Sequence, residues 1–290
     1  MNSTFTPYNI IKQIKDDKFN VEHLQHYNLS LQVGYNEFRI AVIDIRYQRC
    51  LIMESYNIPP DIDLHSALTS IFEDHHFLKA GFWNSVKVAF KNNKFSLIPY
   101  NLFDKENLKE YLEINAHSED DSLFYYKHEK IKAVNVFAAS TEIISFFNGS
   151  YPGTTLHFLH QESVLIEGIN KYEDFSFNRN MSLLMESNAV NILVHEEQKL
   201  IYCNRFDFSS TQKLMQYIMT VMHELNLDQY ETRTIIWGDV IATSEIFETL
   251  QKYIFNISFG GKLPLLQFGY VFDEIEDHNF FDLFSIYFCD

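Results

Sequence analysis

Cysteine is scarce in this chain. Cys50, Cys203 and Cys289 stand far apart and form no Cys-x-x-Cys pair. An odd, sparse set of this kind excludes a disulfide framework and fits thiols kept in a reducing compartment. Basic residues are also short: 23 Lys and Arg face 39 Asp and Glu, for a formal net charge of -16. An acidic surface repels phosphate backbones and anionic lipid, so no nucleic acid and no membrane are expected as partners. The densest basic stretch, residues 127–132, is short and contains Glu129. No apolar run reaches membrane-spanning length. The opening MNSTFTPYNIIKQIKDD lacks the continuous apolar core of a signal peptide. These absences read as a soluble, cytoplasmic chain.

Several catalytic signatures are missing as well. There is no Gly-x-x-x-x-Gly-Lys-Ser/Thr loop and no Gly-x-Gly-x-x-Gly, so the standard phosphate cradles are absent. There is no Gly-x-Ser-x-Gly nucleophile elbow. Asp74-His75-His76 carries ligand-type side chains, but adjacent histidines near a helix end point in different directions. His157 and His160 lack a second ligand pair. The acidic runs at residues 119–121 and 273–277 lack the glycine-punctuated loop of an EF-hand and read as solvated loops. Cys50 and Cys203 read as small core residues. No metal site is expected.

What is present is a globular composition, 46% hydrophobic and 21% charged, with 27 Phe and 17 Tyr. At 290 residues it is long enough for one large domain or two ordinary ones. The first 27 residues read as a terminal arm in which Ile10, Ile11 and Ile14 form a short helical turn. Residues 29–58 then give three strands joined by turns at 34–36 and 47–49, connections too short for anything but antiparallel pairing. Pro59-Pro60 ends that segment. Asp63 can cap a helix carrying Leu64, Leu68, Ile71 and Phe72. Alternation at Val86, Val88 and Phe90 marks a further strand, and a hairpin and helix follow, read as an insertion over about 84–130. A helix over 104–114 is capped by Asp104.

The pattern then starts again. Residues 181–185, 189–194 and 200–208 read as strands, with a helix after Ser209 or Ser210 and a strand over 232–237. A fixed shift of 150 places Ile43 on Leu193, Gln48 on Gln198 and Leu51 on Ile201. It also places Leu68 on Ile218, Ile71 on Val221, Phe72 on Met222 and Val86 on Ile236. The order strand, strand, strand, helix, strand therefore occurs twice, which reads as an internal duplication. The expected class is α/β, with mixed sheets flanked by helices. The division is set at 1–175 and 176–290.

Two βββαβα units in tandem, with extra material in the first, resemble the actin-like ATPase (ribonuclease H-like) fold. The chain also looks like a family of uncharacterised bacterial proteins assigned that fold. The resemblance implies two phosphate-holding hairpin turns, each with an Asp-x-Gly pattern, and an adenosine motif in which a strand ends in Gly-Gly. In the first half the turn reads Gln32-Val33-Gly34, followed by Tyr35-Asn36, with Gln in the acid's place. In the second it reads Met185-Glu186-Ser187-Asn188, without glycine. The strand over 235–239 ends Trp237-Gly238-Asp239, with one glycine behind a bulky indole, and Gly260-Gly261 follows later.

The nucleotide-binding candidates are thus Gly34, Asn36, Glu186, Gly238 and Asp239, a degenerate set. No catalytic residue is assigned and no cofactor is expected, ATP with magnesium being the alternative. The expected function is a non-catalytic scaffold or protein-interaction role, with a protein partner or self-association. The alternative is an atypical ATP-binding or kinase-like protein of the same fold.

Overall fold

The computed structural model describes residues 6–113, 119–172 and 176–290. Two compact units make up the chain. One runs to Val164 and takes in Leu265–Glu274 and Leu283–Asp290, and the other comprises Leu165–Pro264 and Ile275–Asp282. Residues 173–175, beside the division set from sequence, lie outside the described residues, as do residues 114–118 at the end of the helix read over 104–114.

The first unit contains β1 (Asn9–Lys15), β2 (Tyr27–Val33), β3 (Glu37–Asp44), β4 (Arg49–Asn57), α1 (Leu64–Asp74) and β5 (Ser85–Phe90). Then come β6 (Phe95–Pro99), α2 (Leu108–Leu112), β7 (Asp121–His128), β8 (Ala133–Ser140), α3 (Thr141–Ser150) and β9 (Leu156–His160). α4 (Gln161–Tyr172) begins in this unit and continues into the second. The second unit contains β10 (Arg179–Met185), β11 (Ala189–Glu196), β12 (Lys199–Asp207), α5 (Thr211–Glu224), β13 (Arg233–Gly238), α6 (Glu245–Gln251) and β14 (Ile257–Phe259). The chain ends with β15 (Gln267–Phe268) and α7 (Phe281–Ser285).

The main sheet of the first unit has the order β1-β4-β3-β2-β5-β9, with β15 also paired to β4. β2, β3 and β4 form an antiparallel meander, whereas β5 joins β2 in parallel and β9 joins β5 in parallel. A parallel neighbour needs a crossover, and α1 supplies it. The Asp63 carboxylate accepts the Ser66 N–H at 2.9 Å and starts that helix. Ala67, Leu68, Ile71 and Phe72 then face a core shared with Leu29, Leu31, Val86 and Val88. Because β5 is a strand of the main sheet, the added material begins after it. β6, β8 and β7 form a separate three-stranded sheet whose small core includes Leu112 of α2.

The terminal arm is a strand, not a helical turn. β1 lies antiparallel on the outer edge of β4, with Ile14 buried while Ile10 and Ile11 stay exposed. Ladder hydrogen bonds on an open sheet edge outweigh what one isolated helical turn can offer.

The second unit repeats the arrangement with the order β12-β11-β10-β13-β14. Ser210 Oγ accepts the Lys213 N–H and caps α5, whose Leu214, Met215, Ile218, Val221 and Met222 are buried. Each unit has a bulge between its second and third strands, at Val42/Ile43 and at Val194/His195. These bulges show where a single shift fails. Leu51 and Ile201 are both the unpaired residue of the bulge, 150 positions apart, but the ends of β2 and β10, Val33 and Met185, are 152 apart. The loop from Asp44 to Arg49 is two residues longer than that from Glu196 to Lys199. In the last strand Thr234, not Ile236, takes the place of Val86: Leu29 pairs Val86 and Met181 pairs Thr234.

Two buried aspartates hold the outer part of the first sheet. Asp16 accepts from Arg49 Nη2 at 2.6 Å and Asp44 from Arg46 Nη2 at 2.7 Å. Burial pushes each carboxyl up, but hydrogen bonds from Lys18 and Arg49 bring Asp16 below the ordinary value of 3.8, and those from Arg46 do the same for Asp44. On acidification the unfolded chain then takes up protons first. The stability these pairs contribute is complete above 3.8 and is lost as the pH falls through the lower folded values. Urea unfolding followed down past that pH should show an acid limb, and Asp16→Asn should flatten it.

Candidate functional site

The five sequence candidates fall in two places. Gly34 and Asn36 lie on the β2–β3 turn of the first unit. Glu186, Gly238 and Asp239 lie at the adjoining ends of β10 and β13 in the second, where Met185 pairs with Gly238.

The first turn is closed by the Gly34 N–H, which donates to Glu37 O at 2.9 Å. The Asn36 carbonyl accepts the Ile58 N–H at 2.8 Å. The Glu37 side chain folds over the glycine, so that a Cβ at Gly34 would lie 2.7 Å from Glu37 Cγ. Its carboxylate pairs with Arg39 Nη2 at 2.8 Å and with Lys91 Nζ. Arg39 and Lys91 are both largely buried. Gln32, where the resemblance calls for an acid, is fully buried and sits opposite Arg39 in the ladder.

The second turn has the same backbone plan. The Glu186 N–H donates to Ala189 O at 2.8 Å and the Phe208 N–H to Asn188 O at 2.8 Å. Counting by 152 from the first unit, Glu186 takes the place of Gly34 and Leu184 that of Gln32. Glu186 therefore replaces the glycine, and neither turn carries a carboxylate in the acid's position. The Glu186 carboxylate accepts from Asn191 Nδ2 at 3.0 Å and pairs with Arg205. Glu37 and Arg39 belong to the site although sequence reasoning passed over both; their alternation next to a glycine turn was the available signal.

Gly238 adopts a φ of +94°. Its N–H donates to His278 O at 2.9 Å, and the next N–H, that of Asp239, donates to Met185 O at 2.8 Å. Trp237 is 1% exposed. Its ring stacks on Phe281 at 4.5 Å and meets the edge of Tyr172 at 5.2 Å. A Cβ on Gly260 would lie 2.0 Å from Trp237 Nε1, so the Gly260-Gly261 pair is where the indole packs. Gly261 in turn donates its N–H to the Tyr172 hydroxyl at 2.9 Å.

Other sequence candidates take structural roles. His75 Nε2 bonds Glu54 at 2.9 Å. His157 and His160, three apart on β9, face opposite sides of the sheet, and His160 Nδ1 lies 3.0 Å from Glu162 in a buried pair. Asp121 pairs with Lys94, Glu274 with Lys12 and Asp277 with Lys262. Among the described residues, no group of three or more His, Cys, Asp or Glu could hold a metal ion. No described helix is long and apolar enough to cross a membrane. Cys50 is buried as expected, but Cys203 is half-buried on β12.

The model of a family described as "protein of unknown function (DUF3822)" matches residues 16–257. The chain belongs to that family. The match runs from the residue after β1 to the first residue of β14 and so includes both turns and the β13 terminus. No curated protein matches the sequence. Among solved structures, a Bacteroides thetaiotaomicron protein with an actin-like ATPase fold and unknown function is similar at a TM-score of 0.78 and 19% identity, over 94% of this chain and 99% of that one. A chain of the PilM–PilN type IV pilus biogenesis complex is similar at a TM-score of 0.61 and 11% identity, over 89% of this chain and 97% of that one. This family member has the actin-like ATPase fold, as the resemblance implied.

Proposed function

We propose that this protein is a non-catalytic protein-binding scaffold built on an actin-like fold whose phosphate turns no longer serve phosphate. One observation carries the reading. The backbone N–H groups of Gly34, Glu186, Gly238 and Asp239 all donate within their own unit, and the cations beside the turns are held by Glu37 and Glu186. Phosphate binding needs convergent donors that are still available, and magnesium needs an acid at the turn. Gln32 and Leu184 stand in that place. The similar PilM–PilN complex is a protein–protein assembly by its description, which agrees with a protein partner here. The net charge of -16 supports a role away from nucleic acid and lipid, in the cytoplasm. The repeated βββαβ order supports descent by duplication.

The alternative, an atypical ATP-binding or kinase-like protein, draws on Arg39 and Lys91 beside Gly34, two cations that would suit a phosphate if Glu37 swung away. Isothermal titration with ATP and magnesium separates the two. No saturable heat is expected with the natural chain, and binding tighter than about millimolar, a standard free energy near 4 kcal/mol, would overturn the scaffold reading. Glu37→Gln should lower stability by about 2 kcal/mol, because two largely buried cations lose their counter-charge beside a carboxylate that water still reaches. Inorganic phosphate should then stabilise the variant more than the natural chain in thermal unfolding.

A further inference from the structure

Two exposed rings of the second unit come together where two of its loops meet. One loop leads from α5 into β13 and carries Tyr230, and the other leads from α6 into β14 and carries Phe255. The Phe255 N–H donates to Gln229 O at 2.9 Å and the Thr234 N–H to Asn256 O at 2.8 Å, so main-chain bonds knit the loops together. The rings stack 4.4 Å apart and 5° from parallel. Burying an aromatic ring is among the larger gains open to a folding chain, and these two forgo it: Tyr230 is 67% exposed and Phe255 52%. A parallel stack covers one face of each ring and leaves the outer face of Tyr230 in solvent.

Carboxylates stand at the same turn. Asp228 Oδ1 accepts the N–H of Tyr230 at 2.7 Å and that of Glu231 at 3.0 Å, which fixes the turn and holds the carboxylate at the root of the Tyr230 side chain. Asp228 and Glu231 are both exposed, and Asp228 spends only Oδ1 on the turn. An open aromatic face beside two anions is complementary to a cation that can lie flat on a ring. Arginine meets both demands, because its guanidinium stacks on the face while its N–H fork reaches a carboxylate. The lysine ammonium is a compact, strongly hydrated point charge.

The chain does not supply that arginine itself. It has six. Arg39, Arg46, Arg49, Arg179 and Arg205 are held by carboxylates of their own unit, and Arg233 lies over the Phe177 ring at 5.4 Å. A second copy therefore offers only arginines that are already engaged, which leaves a different protein as the source. The net charge of -16 draws a cationic segment toward this surface at long range.

We propose that the Tyr230–Phe255 stack, with Asp228 and Glu231, is a docking site for an arginine-bearing segment of a different protein. The inference deepens the protein-binding reading, on which it rests, by naming the chemistry of the partner. Rings that are already stacked, on loops that are already bonded, lose little freedom on binding, and tyrosine against arginine is a common anchor of protein interfaces.

The test is a titration of the full chain into a fluorescein-labelled peptide in which arginine alternates with glycine, read by anisotropy. Matched peptides carry lysine or glutamate in place of arginine. The arginine peptide should bind saturably and more weakly as salt is added, the lysine peptide about fivefold less tightly, and the glutamate peptide not at all. Tyr230→Ala should weaken the arginine peptide about tenfold, whereas Tyr230→Phe keeps the ring and should stay within about twofold of the natural chain. Asp228→Asn keeps the Oδ1 acceptor that fixes the turn, removes the charge without touching the stack, and should weaken binding about threefold. The changed side chains are exposed, so thermal unfolding should find all three variants folded. An arginine peptide that does not bind, or that binds Tyr230→Ala or Asp228→Asn as tightly as the natural chain, would overturn the proposal. Equal affinity for the lysine peptide would overturn it too, since charge alone would then account for the binding. ATP titration judges the scaffold reading separately: no ATP binding together with an inert arginine peptide removes this site alone.

Discussion

Replacing Gly238 by alanine should lower stability by about 4 kcal/mol, the sum of a left-handed backbone forced on a side-chain-bearing residue and of overpacking. The φ of +94° is one that L side chains rarely adopt, and the new Cβ would lie 2.1 Å from Met185 O. That oxygen cannot simply withdraw, because it accepts the Asp239 N–H at 2.8 Å, and Met185 is the ladder partner of Gly238. The β10–β13 junction must open for the methyl to fit. A loss of this size is a large share of an ordinary domain's net stability of roughly 5–15 kcal/mol. Gly149→Ala is the control with the opposite sign. Gly149 lies in α3 with nothing within 4 Å of an added Cβ, so alanine there should stabilise by up to about 1 kcal/mol. Urea midpoints of the two variants should move in opposite directions. A Gly238→Ala chain as stable as the natural one would mean that the junction is not built as described. The loss should appear without any nucleotide, so this substitution is a poor probe of ATP binding.

Trp237→Ala should cost about 4 kcal/mol, the usual cost of truncating a fully buried aromatic whose surroundings collapse only partly. The indole is stacked between groups that cannot follow it: Phe281, Tyr172 and the backbone at Gly260. Trp237→Phe should cost much less. It keeps a ring against Phe281, and it removes an indole N–H that has no hydrogen-bond partner among the described residues. Far-UV circular dichroism in urea reads both variants. Equal losses for Ala and Phe would show that shape, and not ring stacking, sets the energy.

Much of the fold was legible in the sequence because the signals were local. Period-two alternation marked the strands of both meanders, helical spacing marked α1 and α5, and Asp63 and Ser210 cap those helices as read. Short turns forced antiparallel pairing. The terminal arm was misread because three isoleucines at 10, 11 and 14 suit a helical turn as well as a strand, and only the open edge of β4 decides between them. The single shift of 150 was misleading for a related reason. A two-residue difference in one hairpin loop is invisible when most matched positions are apolar, whereas the bulges fix the register without ambiguity. That correction moved Glu186 from the place of Asn36 to that of Gly34.

The sequence by itself determined the class of fold, the order of elements in each half, the absence of standard phosphate and nucleophile motifs, and the missing acid at Gln32. These depend on neighbours in the chain, and local periodicity and residue type record them. Only the tertiary structure decided where the turn donors are spent, that Glu37 lies over Gly34 between Arg39 and Lys91, that Trp237 fills the space above Gly260, and that β1 covers the edge of β4. Those facts rest on contacts between residues far apart in sequence, such as Glu37 with Lys91 and Trp237 with Phe281. Packing and charge select such contacts among many that the composition would allow.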